Sequence, residues 1–542
     1  MQIAGRDRRG AIVGGAIGLA CLCLFVGVAI GSLLSYGGSG LSISPLGDPY
    51  IRRVLVFTLW QAGLSTALSI LFAIPVARAL ARQRRFPGRV WVLRLMAVPM
   101  GLPVLIGALG LLGLWGRQGM LNKALLGLGL DSPVNIYGLS GILLAHVFFN
   151  MPLAVRYLVA GLDRVPNEYW LLSAQLGMRS TNIFRFVEWP VMRRHLPGVA
   201  GLIFMLCATS FTLVLVLGGG PASTTVEVAI YQALRFDFDP GRAVSLAVIQ
   251  IVITAILLSL IAFLPVPEDH GTTTGRTARR PDARPLAAKA VDGAIIAVAT
   301  AFVLSPLAMV AAAGIRADLL RLLSEPVFWQ ATATSLTIAF FSGLIAVLLG
   351  LAFVRAQLET GGGGPLAARA FSTAIGSSSS LVLLVPPVVL GTGWFLVLRS
   401  VGVTTSAAPY LVLLINTVMA LPFVVRILHP AVEVHRQRTL RLSTSLGMSG
   451  LSKIWLVDWP LLRRALLMAL SFAMALSLGD LGAVALFGSD GFMTLPWLLF
   501  SRLGSYRTAD ADGLALLLGV VCLALTIAGT VGQGGEKERR DG

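Results

Sequence analysis

Few side chains in this 542-residue sequence have the type and spacing for chemistry. The five histidines are scattered, and no group of His, Asp, Glu or Ser has catalytic spacing. Cys21, Cys23, Cys207 and Cys522 lie inside apolar runs and match neither a metal site nor a disulfide framework. They read as small packing residues. The stretches LGGGP at 217–221 and GGGG at 361–364 lack the lysine and the following helix of a phosphate loop, and read as turns. No catalytic residue, metal ligand or cofactor is therefore expected. What remains is a handful of polar groups in apolar surroundings. Asp480 stands in SLGDLGAVALFG, His146 and Asn150 in GILLAHVFFNMP, and Asn416 in LLINTVMA. Such groups are costly in hydrocarbon, so each marks a transport path or a hydrogen bond to a neighbouring helix. Both roles are open for all four. Glu227, Asp237 and Asp239 read as solvated acids of an outer loop.

The elements that hold these groups are membrane helices. The chain is 56% hydrophobic and only 13% charged, with a mean hydropathy of +0.82. That is about half the charge of a soluble domain. A span needs roughly 20 apolar residues and must satisfy its backbone internally. Twelve stretches qualify: 11–34, 54–77, 91–115, 137–155, 198–217, 243–264, 291–313, 331–354, 379–398, 407–425, 466–487 and 512–532. The first is longer than a signal-peptide core and lacks a small-residue cleavage site, so it reads as a retained span. Of the 43 Lys and Arg, 31 fall on the side of the N-terminus and 11 on the other, with Arg94 inside a span. The net charge of +18 thus reads as orientation rather than nucleic-acid binding, with both termini cytoplasmic.

The sequence also repeats. At an offset of 270, Pro152 meets Pro422, Leu176-Gly177-Met178 meets Leu446-Gly447-Met448, and Glu188-Trp189-Pro190 meets Asp458-Trp459-Pro460. Upstream the offset becomes 277, pairing Arg78 with Arg355. Six spans per repeat give two parallel halves about an axis along the membrane normal. The fold expected is an all-α integral membrane protein of about 12 helices. It has a first half over 1–264, a cytoplasmic linker over 265–290, a second half over 291–535 and a tail over 536–542. The linker's basic run reads as solvated.

Each half places a basic loop between its fourth and fifth spans. In the first, Gly177 can end one helix and turn the chain. Ile183, Phe184, Phe186, Val187 and Trp189 then line a short amphipathic helix, with Arg179 and Arg185 on its polar side. Alone, this loop would read as a helix lying flat on the bilayer. Its copy 270 residues on says more. Gly177 to Pro190 and Gly447 to Pro460 both have the 13-residue spacing of the docking loop of ABC-importer permeases. Leu171-Leu172-Ser173 and Arg441-Leu442-Ser443 stand where that loop has Glu-Ala-Ala.

Longer strings, among them YGLSGILLAHVFFNMPLAVR at 137–156 and LGGGPASTTVEVAIYQALRFDFDPGRA at 217–243, resemble the thiamine/thiamine-pyrophosphate ABC transporter permeases of Gram-negative bacteria. The likeness covers both halves. It implies a bacterial inner-membrane permease importing thiamine and its phosphates by alternating access. It also implies a dimeric cytoplasmic ATP-binding subunit, a periplasmic thiamine-binding protein and the lipid bilayer as partners. Ser173, Ala174, Gly177, Met178 and Pro190 would form one coupling loop, and Ser443, Thr444, Gly447, Met448 and Pro460 the other. His146, Asn150, Asn416 and Asp480 would line the path, where the carboxylate suits thiamine's positive charge. A ferric-iron permease and a 12-span secondary transporter are the alternatives. The second would need ionisable groups for ion coupling, which the spans largely lack, and leaves the paired loops unexplained.

Overall fold

In a computed structural model the chain is described over residues 2–38, 47–129, 131–262, 280–361, 366–381, 385–446, 448, 450–489 and 491–530. Gly447, most of the linker and the tail lie outside these residues. Within them the fold is all-α, with no β-strand beyond an isolated bridge between Ser489 and Phe492. Eleven helices are long and apolar enough to cross a membrane. A twelfth apolar helix, Pro387–Val401, has only 15 residues.

Four expected spans are redrawn: 379–398 straddles two helices, Leu366–Leu381 and Pro387–Val401, and the other three change for local reasons. The stretch 91–115 is not one helix: Arg89–Leu95 and Val98–Gly101 precede Val104–Trp115. Leu102 is extended, at φ −87° and ψ 134°, because the ring of Pro103 crowds the helical conformation of the residue before it. The stretches 198–217 and 466–487 start too late and end too late. Their helices run Ser180–Ala208 and Trp455–Gly479, then break. Short helices Thr212–Leu217 and Gly482–Phe487 follow the breaks. The breaks fall at the same place in both repeats, so the geometry belongs to the repeated sequence and not to one copy.

Packing divides the described chain into two compact units. One gathers 1–45, 229–251 and 314–542; the other gathers 46–228 and 252–313. These units cut across the sequence repeat, because helix Gln2–Gly38 belongs with the helices that follow residue 314. In the first unit, Gln2–Gly38 packs on Pro326–Thr360 and Pro387–Val401. Ser32 Oγ donates to Gly393 O at 2.7 Å, and Trp394 Nε1 to Phe25 O at 3.2 Å. A Cβ at Gly393 would lie 2.4 Å from Ala29 O, so the small residue is what admits this close crossing. The second unit is organised by the packing of Pro49–Arg82 against Leu139–Asp163.

Candidate functional site: two hairpins and their buried carboxylates

In the second unit, helix Leu139–Asp163 ends and a shorter helix, Asn167–Gln175, starts directly after Pro166. Proline disfavours helix at Val165 and cannot continue the ladder. Arg436 occupies the corresponding place in the other repeat, and there helix Thr404–Ser445 runs unbroken for 42 residues. The turn that follows is a Schellman motif. Met178 N donates to Ser173 O at 3.0 Å and Gly177 N to Ala174 O at 3.1 Å. Gly177 sits at φ +58°, in the left-handed region that only glycine enters without strain. No atom lies within 4 Å of a Cβ placed there. The whole cost of a substitution is therefore backbone conformation, about 1–2 kcal/mol for an L side chain. Gly177→Val should weaken the hairpin and lower uptake several-fold, whereas Gly177→Asn should keep most of it. Uptake assays at matched membrane abundance would check this, and equal activity of the two variants would refute it.

After the turn, helix Ser180–Ile183 passes through a π-helical turn, Phe184–Glu188, into Trp189–Ala208. Trp189 N donates to Phe184 O, five residues back. Pro190 explains the widening: it has no N–H to give, and its ring would strike the carbonyl four residues behind in a regular helix. The other repeat does the same, with a π turn at Ile454–Asp458 before Trp459–Gly479. The proline of the expected glycine-to-proline spacing thus has a structural task in both copies.

Each π turn ends on a carboxylate, and each carboxylate meets an arginine. Glu188, fully buried, accepts from Arg78 Nε at 2.7 Å. Asp458 accepts from Arg355 Nη2 at 2.9 Å. The third partner differs. Glu188 receives Arg280, which also donates to Asp282 at 3.0 and 3.1 Å. Asp458 instead receives His435 Nε2 at 2.8 Å. Around Glu188 the network continues: Arg78 and Arg82 both reach Ser180, and Arg82 Nε donates to Asp292 at 2.6 Å. Burial works against the Arg280 charge, but Glu188 and Asp282 outweigh it and raise its pKa above the usual arginine range. The linker is therefore not wholly solvated, as its composition led one to expect: Arg280 and Asp282 are buried.

The hairpin packs inward on Val165, Trp170, Ile183 and Val187, with Met178 at the edge of that cluster. Ser173 is buried and Oγ donates to Tyr169 O at 2.6 Å. Outward it presents Leu171, Leu172, Leu176 and Phe186, each more than half exposed. Ala174 and Gly177 are exposed, and Pro190 is half-buried. In the other unit, Leu446, Trp455, Leu456 and Leu461 are likewise exposed, as is Pro460, while Met448 is half-buried. Ser443 and Thr444 lie in the last turns of Thr404–Ser445. Each hairpin thus sets an exposed apolar face on an ionic base that is buried at its carboxylate.

Of the four polar residues singled out in the apolar runs, three join helices and Asp480 caps a short one. Ser65 Oγ meets His146 Nδ1 at 2.8 Å, Asn150 Nδ2 donates to Cys207 Sγ at 3.3 Å, and Asn416 Nδ2 to Ser477 Oγ at 2.8 Å. Asp480 sits in the second helix break and accepts from the N–H groups of Gly482 and Ala483 at 3.1 and 3.3 Å. Ser335, Asn416, Ser477, Asp480 and Thr494 line one small pocket. There Asn416 Oδ1 and Thr494 Oγ1 are buried without a hydrogen-bond partner. Asn416 and Asp480 are thus brought together, whereas His146 and Asn150 lie in the other unit. Glu227 is fully buried and not the solvated loop acid that its position suggested.

Comparison with known proteins completes the picture. Residues 69–265 match the family model described as the binding-protein-dependent transport system inner membrane component. The thiamine transport system permease protein ThiP of Brucella abortus (strain 2308) is 48% identical over 95% of this chain and 94% of its own length. The proteins of that name from Escherichia coli K12 and Haemophilus influenzae are 43% and 36% identical, each over 94% of both chains. The chain belongs to the same family as these permeases: it is a multi-pass inner-membrane component of a binding-protein-dependent transport system, a transport subunit and not an enzyme.

Proposed function

We propose that this chain is the path by which thiamine and its phosphates cross from periplasm to cytoplasm, driven by a separate ATP-binding subunit and fed by a periplasmic thiamine-binding protein. The observation that carries this reading is the paired hairpin. Two copies of one sequence motif form the same π turn, end on the same arginine-held carboxylate and expose the same kind of apolar face. A paired docking surface suits a dimeric ATPase, one subunit per hairpin, with both termini and both hairpins on the cytoplasmic side.

The parts then take the following roles. Ser173, Ala174, Gly177, Met178 and Pro190 form the first coupling loop, and Ser443, Thr444, Gly447, Met448 and Pro460 the second. The sequence halves 1–264 and 291–535 carry one loop each, and closure of the ATPase would move each hairpin together with the compact unit that holds it. The helix breaks leave polar backbone and Asp480 at membrane depth, which is tolerated where a cavity is lined. Asn416 and Asp480 offer oxygens to a cationic cargo, and His146 and Asn150 hold the first half together beside the path.

The names of the relatives favour thiamine over ferric iron. Uptake of radiolabelled thiamine into a strain lacking its own permease, complemented with this chain and its two partner subunits, tests the reading. Thiamine accumulation without ferric-iron accumulation is the expected result. Iron uptake alone, or neither, would overturn it.

A further inference from the structure

We infer that Arg280, supplied by the linker between the two halves, is the positioning residue of the first coupling hairpin. The linker is thus a working part of the coupling apparatus and not a passive tether. This rests on the reading of the hairpin as the ATPase contact. Three observations carry it. The Arg280 side chain is 1% exposed, a rare state for an arginine unless it is paired; its Nε and Nη2 are bonded, and its Nη1 is buried without a hydrogen-bond partner. Its guanidinium lies over the ring of Trp170, 4.1 Å from the centroid, on the helix before the Gly177 turn. Its Nη2 holds Glu188, on the π turn after it. One planar group therefore clasps both arms of the hairpin, by cation–π contact on one and by ion pairing on the other.

The clasp is itself held. Asp282 grips the same guanidinium, and Gln83 Nε2 and Arg82 reach Asp292 on helix Leu286–Arg316, just beyond. Charges balance: Arg78, Arg82 and Arg280 face Glu188, Asp282 and Asp292. In the second repeat the third group on the carboxylate, His435, comes from helix Thr404–Ser445 of the same half. There the helix is unbroken and needs no outside clasp. In the first half Pro166 has cut that helix, and the linker's arginine takes over the bracing. The asymmetry between the repeats thus has a cause on each side.

A merely structural arginine balances charge; a positioning one also bridges. Three variants separate the two in the complex reconstituted with its ATP-binding subunit and binding protein: R280M, R280K and the double variant E188Q/R280M, which removes both charges. Hydrogen exchange over 167–188, thiamine moved per ATP hydrolysed, and photocrosslinking from position 176 to the ATPase are read together. R280M is expected to speed exchange in that hairpin at least tenfold, leave exchange over 450–464 unchanged, and lower thiamine moved per ATP about tenfold. The double variant should recover abundance but keep the fast exchange and poor coupling, because the bridge is still absent. R280K, which keeps the charge and is expected to accumulate as the wild type does, should show the same fast exchange to a smaller degree. Wild-type coupling and exchange in R280K, or full recovery in the double variant, would overturn the assignment. Absence of any crosslink from position 176 in the otherwise unaltered complex would instead overturn the docking reading, while the exchange data would still decide whether Arg280 holds the hairpin.

Discussion

Glu188→Ala should nearly abolish thiamine uptake, and Asp458→Ala should cost markedly less. The ordering follows from burial and from what each change strands. Glu188 is fully buried and ties Arg78 to Arg280, whose side chain is 1% exposed. Removing the carboxylate takes one of two acids from the buried Arg280, which keeps Asp282, and the only carboxylate that Arg78 holds among the described residues; breaking a buried pair costs up to about 3–5 kcal/mol. Native stability is itself only about 5–15 kcal/mol, so much of the protein should fail to accumulate. Asp458 holds Arg355, whose side chain is 35% exposed, and His435. A part-exposed arginine can turn to water when the acid is gone, so less charge is stranded in the protein. Membrane abundance by immunoblot, with uptake normalised to it, checks the order. Equal losses would mean that the two hairpins are braced alike and that the Arg280 clasp adds nothing.

The second large effect is expected at Asp480. Asp480→Asn keeps the size of the side chain and one oxygen to accept from Gly482 N or Ala483 N, so the helix break should survive. It removes the negative charge from the pocket that Asn416, Ser477 and Thr494 share. If the carboxylate serves only as a cap, uptake should stay within about twofold. If it meets a cationic cargo, the concentration for half-maximal uptake should rise about tenfold, which corresponds to about 1.4 kcal/mol. We expect the tenfold rise, with abundance unchanged. Initial rates of thiamine uptake across substrate concentrations measure it. An unchanged half-maximal concentration would remove Asp480 from the path and leave it a structural residue.

Much of this architecture was legible in the sequence because hydrocarbon imposes a simple rule on composition. Long uncharged runs had to be helices, and the all-α class followed; twelve spans were expected, and eleven helices among the described residues are long and apolar enough to cross a membrane. The repeat made the hairpins visible, since Gly177 and Pro190 recur with their spacing intact. What stayed hidden was geometry inside those signals. Pro190 marked the loop, but not that its ring widens the preceding turn into a π turn. The helix ends near 208 and 479 were missed because Thr209, Ser210 and Asp480 interrupt otherwise apolar runs too briefly for average hydropathy to register a break. The Arg78–Glu188 and Arg355–Asp458 pairs were in principle readable. Arginine and acid recur in both repeats, at offsets of 277 and 270, and a matched pair of opposite charges invites a contact. Arg280 gave no such signal. It lies in a polar, arginine-rich linker where solvation is the ordinary expectation, and only its burial against Trp170 sets it apart from its neighbours.

The exposed apolar faces of the hairpins offer the most direct test of the whole account. Leu176 and Leu456 are 66% and 70% exposed, so Leu176→Asp and Leu456→Asp leave the buried network untouched and surface substitutions of this kind cost little stability. The measurement is ATP-driven accumulation of labelled thiamine in proteoliposomes carrying the permease, its ATP-binding subunit and the binding protein. The unaltered complex should accumulate thiamine only when ATP is present, and the double variant L176D/L456D should lose at least nine-tenths of that accumulation. Accumulation that proceeds without ATP, or that is unchanged in the double variant, would contradict the claim that force from an ATPase enters the membrane through these two hairpins.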